Sequence, residues 1–167
     1  IYKMITDIVD NAVDMCFSED VDSEEWDLNE FNSVLSQIIP IEPLTEEKVK
    51  GKKKNEMKHL IKEEAVKLYE AKEAEFPEAE QLRELERVVL LKCIDSKWMD
   101  HIDDMEMLRQ GIGLMAYGQR DPVVEYKMSA FDMFNNMISS IQEDTVRMLY
   151  HVHVEQKIER EQVAKVT

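Results

Sequence analysis

Apolar side chains recur at steps of three and four residues along most of this chain, which is the spacing of one face of an α-helix. The first stripe lies within residues 1–17 and contains Ile1, Ile5, Ile8, Val9, Ala12 and Cys16. It is in register from the first residue, with no capping side chain before it. The pattern therefore predicts an amphipathic helix that is truncated at its front.

Two shorter stripes follow, separated by residues that end helices. Asp27 and Glu30 have the spacing of a capping box. The buried side predicted after them is Leu28, Phe31, Leu35 and Ile38. Pro40 and Pro43 then end that helix and favour an extended link. A third helix is predicted within residues 55–76, before Pro77, with an inward side of Met57, Leu60, Ile61, Ala65, Leu68 and Tyr69.

The longest periodic pattern comes last and consists of two runs. The first run contains Leu85, Val88, Leu91, Ile94, Trp98, Ile102, Met105, Leu108 and Ile112. The second contains Val124, Met128, Phe131, Phe134, Ile138, Ile141, Met148 and Val152. Three of the four glycines fall between residues 111 and 118, and Pro122 suits the first turn of a following helix. We predict a long antiparallel helical hairpin with these stripes along its seam and residues 111–122 at its tip.

Composition supports a helical protein. Only four Gly and four Pro occur, which is few for a fold made of sheets and tight turns. Apolar residues make up 44% of the chain, enough for a core, and charged residues make up 34%. We therefore predict an all-α fold.

The net charge of −15 argues against nucleic acid as a partner, because binding DNA or RNA requires Lys and Arg beside phosphate. One stretch is basic: Lys48, Lys50, Lys52, Lys53, Lys54, Lys58 and Lys62. It has no interleaved aromatic residue for base stacking. A site for nucleic acid or anionic lipid is one interpretation; the favoured one places these lysines opposite the acidic residues 19–30 within the same lobe.

Motifs for catalysis or metal binding are missing from the sequence. Gly51-Lys52 is the only Gly-Lys pair and lacks the other P-loop residues, so no nucleotide site is predicted. His101 and Asp104 share a helix face, but two ligands make a weak metal site, and a surface ion pair is favoured. Cys16 and Cys93 lie far apart and fit reduced cytosolic thiols. No signal peptide or membrane span is predicted.

The predicted tip carries Leu114, Met115 and Tyr117, although solubility alone would favour polar residues there. They either pack back against the hairpin or form a contact surface. Tyr suits contact with many sequences because its ring is broad and amphipathic, and Met adapts to varied shapes.

The hairpin sequence resembles the two-helix finger of the SecA family, the bacterial preprotein translocase motors. The resemblance rests on Trp98–Ile102 (WMDHI), Leu108–Ile112 (LRQGI), Leu114–Pro122 (LMAYGQRDP), Glu125–Lys127 (EYK) and Phe131–Phe134 (FDMF). It implies four segments: residues 1–17 as the end of a long scaffold helix, 18–80 as a helical wing lobe, 81–153 as the finger, and 154–167 as the start of a C-terminal linker.

The resemblance also implies what the finger does. In the family it reaches the mouth of the SecY channel, contacts the unfolded preprotein and restrains the motor's ATPase. The resemblance assigns the tip contact to Tyr117 and to its neighbours Leu114, Met115, Gly118, Gln119 and Arg120. We expect four side chains to pack between the helices of the finger: Trp98, Leu108, Phe131 and Phe134. The family usually has Arg where Met115 stands, so a contact made by that Arg does not carry over.

Further implications concern the parent protein. Its motor domains, which bind ATP and Mg²⁺, precede this segment, so we expect no cofactor and no catalysis in the chain itself. The implied partners are SecY, the preprotein, those motor domains and a second copy in a homodimer. The implied location is the cytoplasm, with peripheral association at the inner face of the plasma membrane. The alternative function is a free-standing helical module for protein interaction.

Overall fold

The structure is a computed structural model that describes residues 1–18, 23–115 and 121–152. Every regular element in these ranges is helical, so the predicted all-α fold is confirmed. The α-helices are α1 (Tyr2–Cys16), α2 (Leu28–Ser36), α3 (Glu46–Val49), α4 (Lys54–Glu73), α5 (Ala79–Met115) and α6 (Pro122–His151), with a 3-10 turn at Ser23–Glu25. The division into scaffold, wing, finger and linker stays a prediction, and the linker lies outside the described residues.

Helix α1 buries the first apolar stripe. Four of its positions are buried as predicted: Ile5, Ile8, Val9 and Ala12. Ile1 and Cys16, at the two ends, are only half-buried. The core around α1 also takes buried side chains from α2, α4 and the C-terminal end of α6. We call α1 to α4 with their links the lobe, and α5 with α6 the finger.

Helix α2 begins as its sequence predicts. Oδ1 of Asp27 accepts a hydrogen bond of 2.9 Å from the backbone N–H of Glu30, the first bond of a capping box. Phe31 and Leu35 are fully buried. The contact that holds the link after α2 was not predicted. Oδ1 of Asn32 accepts a hydrogen bond of 2.8 Å from the backbone N–H of Leu44. Nδ2 of the same side chain donates one of 2.9 Å to the C=O of Leu44.

Helix α4 packs against α1 with the predicted side inward, apart from one residue. Met57, Ile61, Ala65 and Tyr69 are buried as predicted. Leu60 was also predicted inward, and this is wrong because its side chain is exposed. Consecutive helical residues point about 100° apart, so a helix that directs Ile61 into the core turns Leu60 away from it.

Ion pairs join α4 to α1 along the same contact. Lys54 and Lys58 each lie 2.8 Å from a carboxylate oxygen of Asp14, and Lys62 lies 2.6 Å from Asp10. These contacts lower the pKa of Asp14, chiefly through the hydrogen bonds from Lys54 and then Lys58. Part of the basic stretch thus neutralises the acidic side of α1, a partner that the sequence analysis did not foresee.

The finger is the predicted antiparallel hairpin. Sγ of Cys93 lies 4.0 Å from Sδ of Met148, and Nζ of Lys97 lies 2.9 Å from Oδ2 of Asp144. Farther along α5, the His101 ring lies 6.1 Å from the Phe134 ring. Later residues of α5 therefore meet earlier residues of α6, which confirms that the two helices run in opposite directions.

Two details of the predicted hairpin are wrong. Helix α5 does not end at residue 111. It continues through Gly111 and Gly113 to Met115. The stripe on α5 is also not the seam: its members Val88, Leu91, Ile94 and Ile102 are exposed. A cluster of Cys93, Met137 and Ile141 is buried between the helices instead. Periodicity identifies an apolar face without saying which partner covers it.

Candidate interaction surface of the helical finger

Most of the predicted tip contact falls beyond what the structure describes. Tyr117, Gly118, Gln119 and Arg120 lie outside the described residues, as does the side chain of Met115. Leu114 belongs to the last turn of α5 and is 72% exposed. The contact role of these residues stays a prediction, and Leu114 is accessible for it.

Helix α6 begins at a well-defined point beside the tip. Oδ1 of Asp121 accepts a hydrogen bond of 2.9 Å from the backbone N–H of Val123. Pro122 occupies the first helical turn, as predicted, where its missing N–H costs nothing. Capping and the fixed φ of proline together set the start of α6.

The side chains assigned to packing are more exposed than a packed core requires. Trp98 is 47%, Phe131 67% and Phe134 43% exposed, while Leu108 is half-buried. A core aromatic residue loses nearly all of its accessible surface. The packing role of these four residues stays a prediction, and their exposure leaves much of their apolar surface free for a partner.

These aromatic residues belong to one apolar surface. We call it the finger face, formed by Val88, Leu91, Trp98 and Ile102 of α5 with Val124, Phe131, Phe134 and Ile138 of α6; each is at least partly exposed. His101 connects the two helices, because its ring centre lies 5.7 Å from that of Trp98 and 6.1 Å from that of Phe134. An exposed apolar surface of this kind makes this side of the finger a candidate interaction site.

A polar groove lies between the same two helices. It has a volume of about 270 Å³ and is lined by Lys97, Asp100, His101, Asp104, Met133, Asn136, Met137 and Ser140. The Asp144 carboxylate beside Lys97 raises the pKa of that lysine, chiefly through their hydrogen bond. Within the described ranges, no three His, Cys, Asp or Glu side chains are placed to hold a metal ion. Charged and polar side chains therefore make up most of the lining of this groove.

The C-terminal end of α6 packs into the core of the lobe. Val146 and Leu149 are buried in the core cluster that contains α1. The hydroxyl of Tyr150 donates a hydrogen bond of 2.7 Å to the backbone C=O of Ala65 on α4. Its ring makes an edge contact with the Tyr69 ring, with 5.5 Å between centres. One helix of the finger thus continues directly into the lobe core.

Polar contacts attach the start of α5 to the lobe. Arg83 bridges Glu73 on α4 and Glu86 on α5. Glu86 accepts a hydrogen bond of 2.7 Å from the Tyr69 hydroxyl, and Glu73 accepts one of 2.9 Å from Tyr2. Burial, and then the bond to Glu86, raise the pKa of Tyr69. This network was not predictable from the sequence, because its members come from three helices, although Arg83 and Glu86 are only three positions apart.

The match to a known family comes from the chain as a whole. Residues 1–153 match the family model described as the SecA Wing and Scaffold domain. The chain belongs to the SecA family. It is the wing and scaffold part of that family, and not a motor domain. The matched range contains every helix described above.

Curated SecA relatives agree with this assignment. The chain is 63% identical over 175 residues to the protein translocase subunit SecA of Lachnoclostridium phytofermentans, covering 100% of this chain and 20% of that protein. It is 47% identical over 166 residues to protein translocase subunit SecA 1 of Alkaliphilus metalliredigens, covering 99% of this chain and 18% of that protein. The chain therefore spans about a fifth of the length of these SecA relatives.

None of the described helices of this SecA segment combines the length and apolar character that crossing a bilayer requires.

Proposed function

We propose that this chain is the non-catalytic wing and scaffold segment of a SecA protein-translocation motor. In this proposal the finger docks on the rest of the motor along the finger face. Its tip contacts the preprotein and the mouth of the SecY channel.

The observation that carries the proposal is the contrast between the two ends of the finger. At the root, Leu149 is 1% exposed and Tyr150 bonds the backbone of α4. Along the shaft, the finger face leaves aromatic rings such as Phe131 open to solvent. A firmly rooted rod with an uncovered apolar side is suited to pack against another part of the same machine.

The dimensions of the finger suit the transmission of movement. Helix α5 has 37 residues and α6 has 30, so at about 1.5 Å per residue they are rods of roughly 55 and 45 Å. Two antiparallel helices that share a buried cluster resist bending better than a single helix. A displacement of the lobe would thus reach the tip with little loss.

The tip contact is assigned to Tyr117, with Leu114, Met115, Gly118, Gln119 and Arg120 around it. A motor that moves many preproteins cannot rely on a pocket shaped for one sequence. An aromatic ring meets diverse backbones and side chains without such a pocket. Met115 replaces the usual family Arg, so we expect an adaptable apolar contact at this position instead of a charged one.

Catalysis belongs elsewhere in this proposal. ATP and Mg²⁺ bind the motor domains, and the finger restrains their ATPase through the finger face. The purified chain alone should therefore hydrolyse no ATP above background in a phosphate-release assay. Turnover that survives repeated purification would contradict this part of the proposal.

The remaining assignments follow from the same role. The partners are SecY, the unfolded preprotein, the motor domains and a second SecA copy, without nucleic acid. The location is the cytoplasm, with peripheral association at the inner face of the plasma membrane. The alternative of a free-standing interaction module is weaker, because the chain aligns over its full length with one fifth of a longer relative.

Tyr117→Ala in the full-length motor tests the tip contact. We expect preprotein transport into membrane vesicles to fall while helix content, measured by circular dichroism, stays the same. Tyr126→Ala on α6 is the control, because it removes a tyrosine from the shaft of the finger. Unchanged transport in the Tyr117 variant would remove the contact role from this residue.

A further inference from the structure

The two helices of the finger meet the tip in different ways. Helix α6 starts with the Asp121 cap and Pro122. The end of α5 has no basic side chain in its last turn and contains Gly111 and Gly113. Glycine in the final turns, with no basic side chain among the described residues of the last turn, leaves a helix end weakly held.

Neither glycine is required by the shape of the backbone or by its surroundings. A Cβ atom built at Gly111 or Gly113 meets no atom within 4 Å, and both residues have ordinary helical backbone. Gly51 differs, because its φ of 72° lies in the left-handed region that favours glycine. Alanine would therefore fit at positions 111 and 113, and the two glycines weaken the helix without a packing reason.

Among the described residues, side-chain hydrogen bonds along α5 also stop before this segment. Arg109 and Gln110 each donate to Oε1 of Glu106, at 2.8 and 3.0 Å. The next four residues are Gly111, Ile112, Gly113 and Leu114, which have no polar side chain. Leu114 gains little by burial, since it is mostly exposed.

We propose that Gly111 and Gly113 keep the end of α5 close to its unfolding point, so that residues 111–115 melt and reform during work at the tip. A helical residue rises about 1.5 Å and an extended one about 3.3 Å, so melting five residues adds up to roughly 9 Å of chain. The well-capped α6 stays fixed, and the reach of the tip adjusts from the α5 side alone. This role rests on the proposed contact between the tip and preprotein segments of different bulk.

Hydrogen exchange on the full-length protein measures the helix end directly. Each Gly→Ala change favours helix by about fivefold, so Gly111→Ala with Gly113→Ala should slow exchange of amides 111–115 by up to about 25-fold. Ser96→Ala, at an exposed position in the middle of α5, is the matched control. It should leave exchange at 111–115 unchanged.

Transport into vesicles is the second readout. We expect the double alanine variant to transport preproteins more slowly than wild type, with the greatest loss for bulky segments, while Ser96→Ala transports normally. Equal exchange at 111–115 in wild type and double variant would overturn the proposal. Slower exchange with unchanged transport would also overturn it. The exchange result does not depend on Tyr117, so it is separate from a failure of the proposed tip contact.

Discussion

The hydroxyl of Tyr69 donates a 2.7 Å hydrogen bond to Oε1 of Glu86, which joins helix α4 of the lobe to helix α5 of the finger. Arg83 lies 2.5 Å from the same oxygen and also pairs with Glu73. Tyr69 is fully buried, so its phenol has no access to water as a substitute partner. This bond is therefore a principal contact between the lobe and the start of the finger.

Tyr69→Phe should lower the free energy of unfolding by about 1–2 kcal/mol, because Glu86 loses a donor while the ring still fills its site. Chemical denaturation of the chain measures the change. Tyr126→Phe, on α6 outside the lobe core, is the control and should have little effect. A Tyr69→Phe variant as stable as wild type would show that the bond makes no net contribution.

The stability measured at alkaline pH tests whether the Tyr69 hydroxyl causes the expected difference between wild type and Tyr69→Phe. The folded protein raises the pKa of Tyr69 above its ordinary value of 10.0, so the neutral phenol is the favoured form. Its contribution to stability is complete below about pH 10 and is lost as pH rises above that value, because the unfolded chain ionises first. The difference in stability between wild type and Tyr69→Phe should therefore stay constant up to about pH 10 and shrink as the pH rises above that value. A constant difference would point to packing instead.

The sequence predicted the features of this fold that are local. The stripe of α1, the Asp27 cap and Pro122 at the start of α6 each depend on residues within a few positions of one another. These three features could therefore be predicted without knowledge of the rest of the chain. The helical hairpin was also predictable, because its two runs are long and the residues between them favour a turn.

Features that depend on distant partners were not predictable. The exposed apolar side of α5 has the same period as a buried side would have. The spacing of Leu91 therefore did not show that α6 packs on another side of α5. Tyr69 and Glu86 are 17 positions apart and lie on different helices. Gly111 and Gly113 suggested a loop, yet hydrogen bonding in a long helix carried α5 through both. Tertiary contacts and helix length decide such cases.

Trp98→Ala should destabilise the isolated chain much less than a buried aromatic residue would predict. Trp98 is 47% exposed, so we expect a loss of about 1–2 kcal/mol instead of the 3 kcal/mol or more that applies to a buried indole. Leu82→Ala is the comparison: Leu82 is 1% exposed and should cost about 2–5 kcal/mol. Thermal melts rank the two, and a larger loss for Trp98 would show that the finger face is covered in solution.

Thr145→Val should be neutral or stabilise the chain by up to about 1 kcal/mol. Oγ1 of Thr145 is buried, and within the described residues it has no hydrogen-bond partner, so its desolvation is not compensated. Thr6→Val is the matched control, because Oγ1 of Thr6 donates a 2.9 Å bond to the C=O of Lys3. Denaturant midpoints that fall for Thr145→Val would reveal a partner for this hydroxyl.

Phe131→Ser in the full-length motor should raise ATPase activity in the absence of SecY, by about fivefold or more if the finger face restrains the motor. The substitution removes a 67% exposed ring from that face and leaves the buried core of the lobe unchanged. Met107→Ser is the control, since Met107 is 71% exposed and lies outside the finger face. Equal ATPase activity in the wild type and the Phe131 variant would contradict docking through this surface.

Site-specific photo-crosslinking tests the tip contact most directly. A crosslinking residue replaces Tyr117 in one variant and the exposed shaft residue Met99 in another, and a preprotein is stalled partway through SecY. The proposed function predicts strong crosslinks to the preprotein from position 117 and weak ones from position 99. Crosslinks of equal strength from both positions, or none from 117, would contradict it.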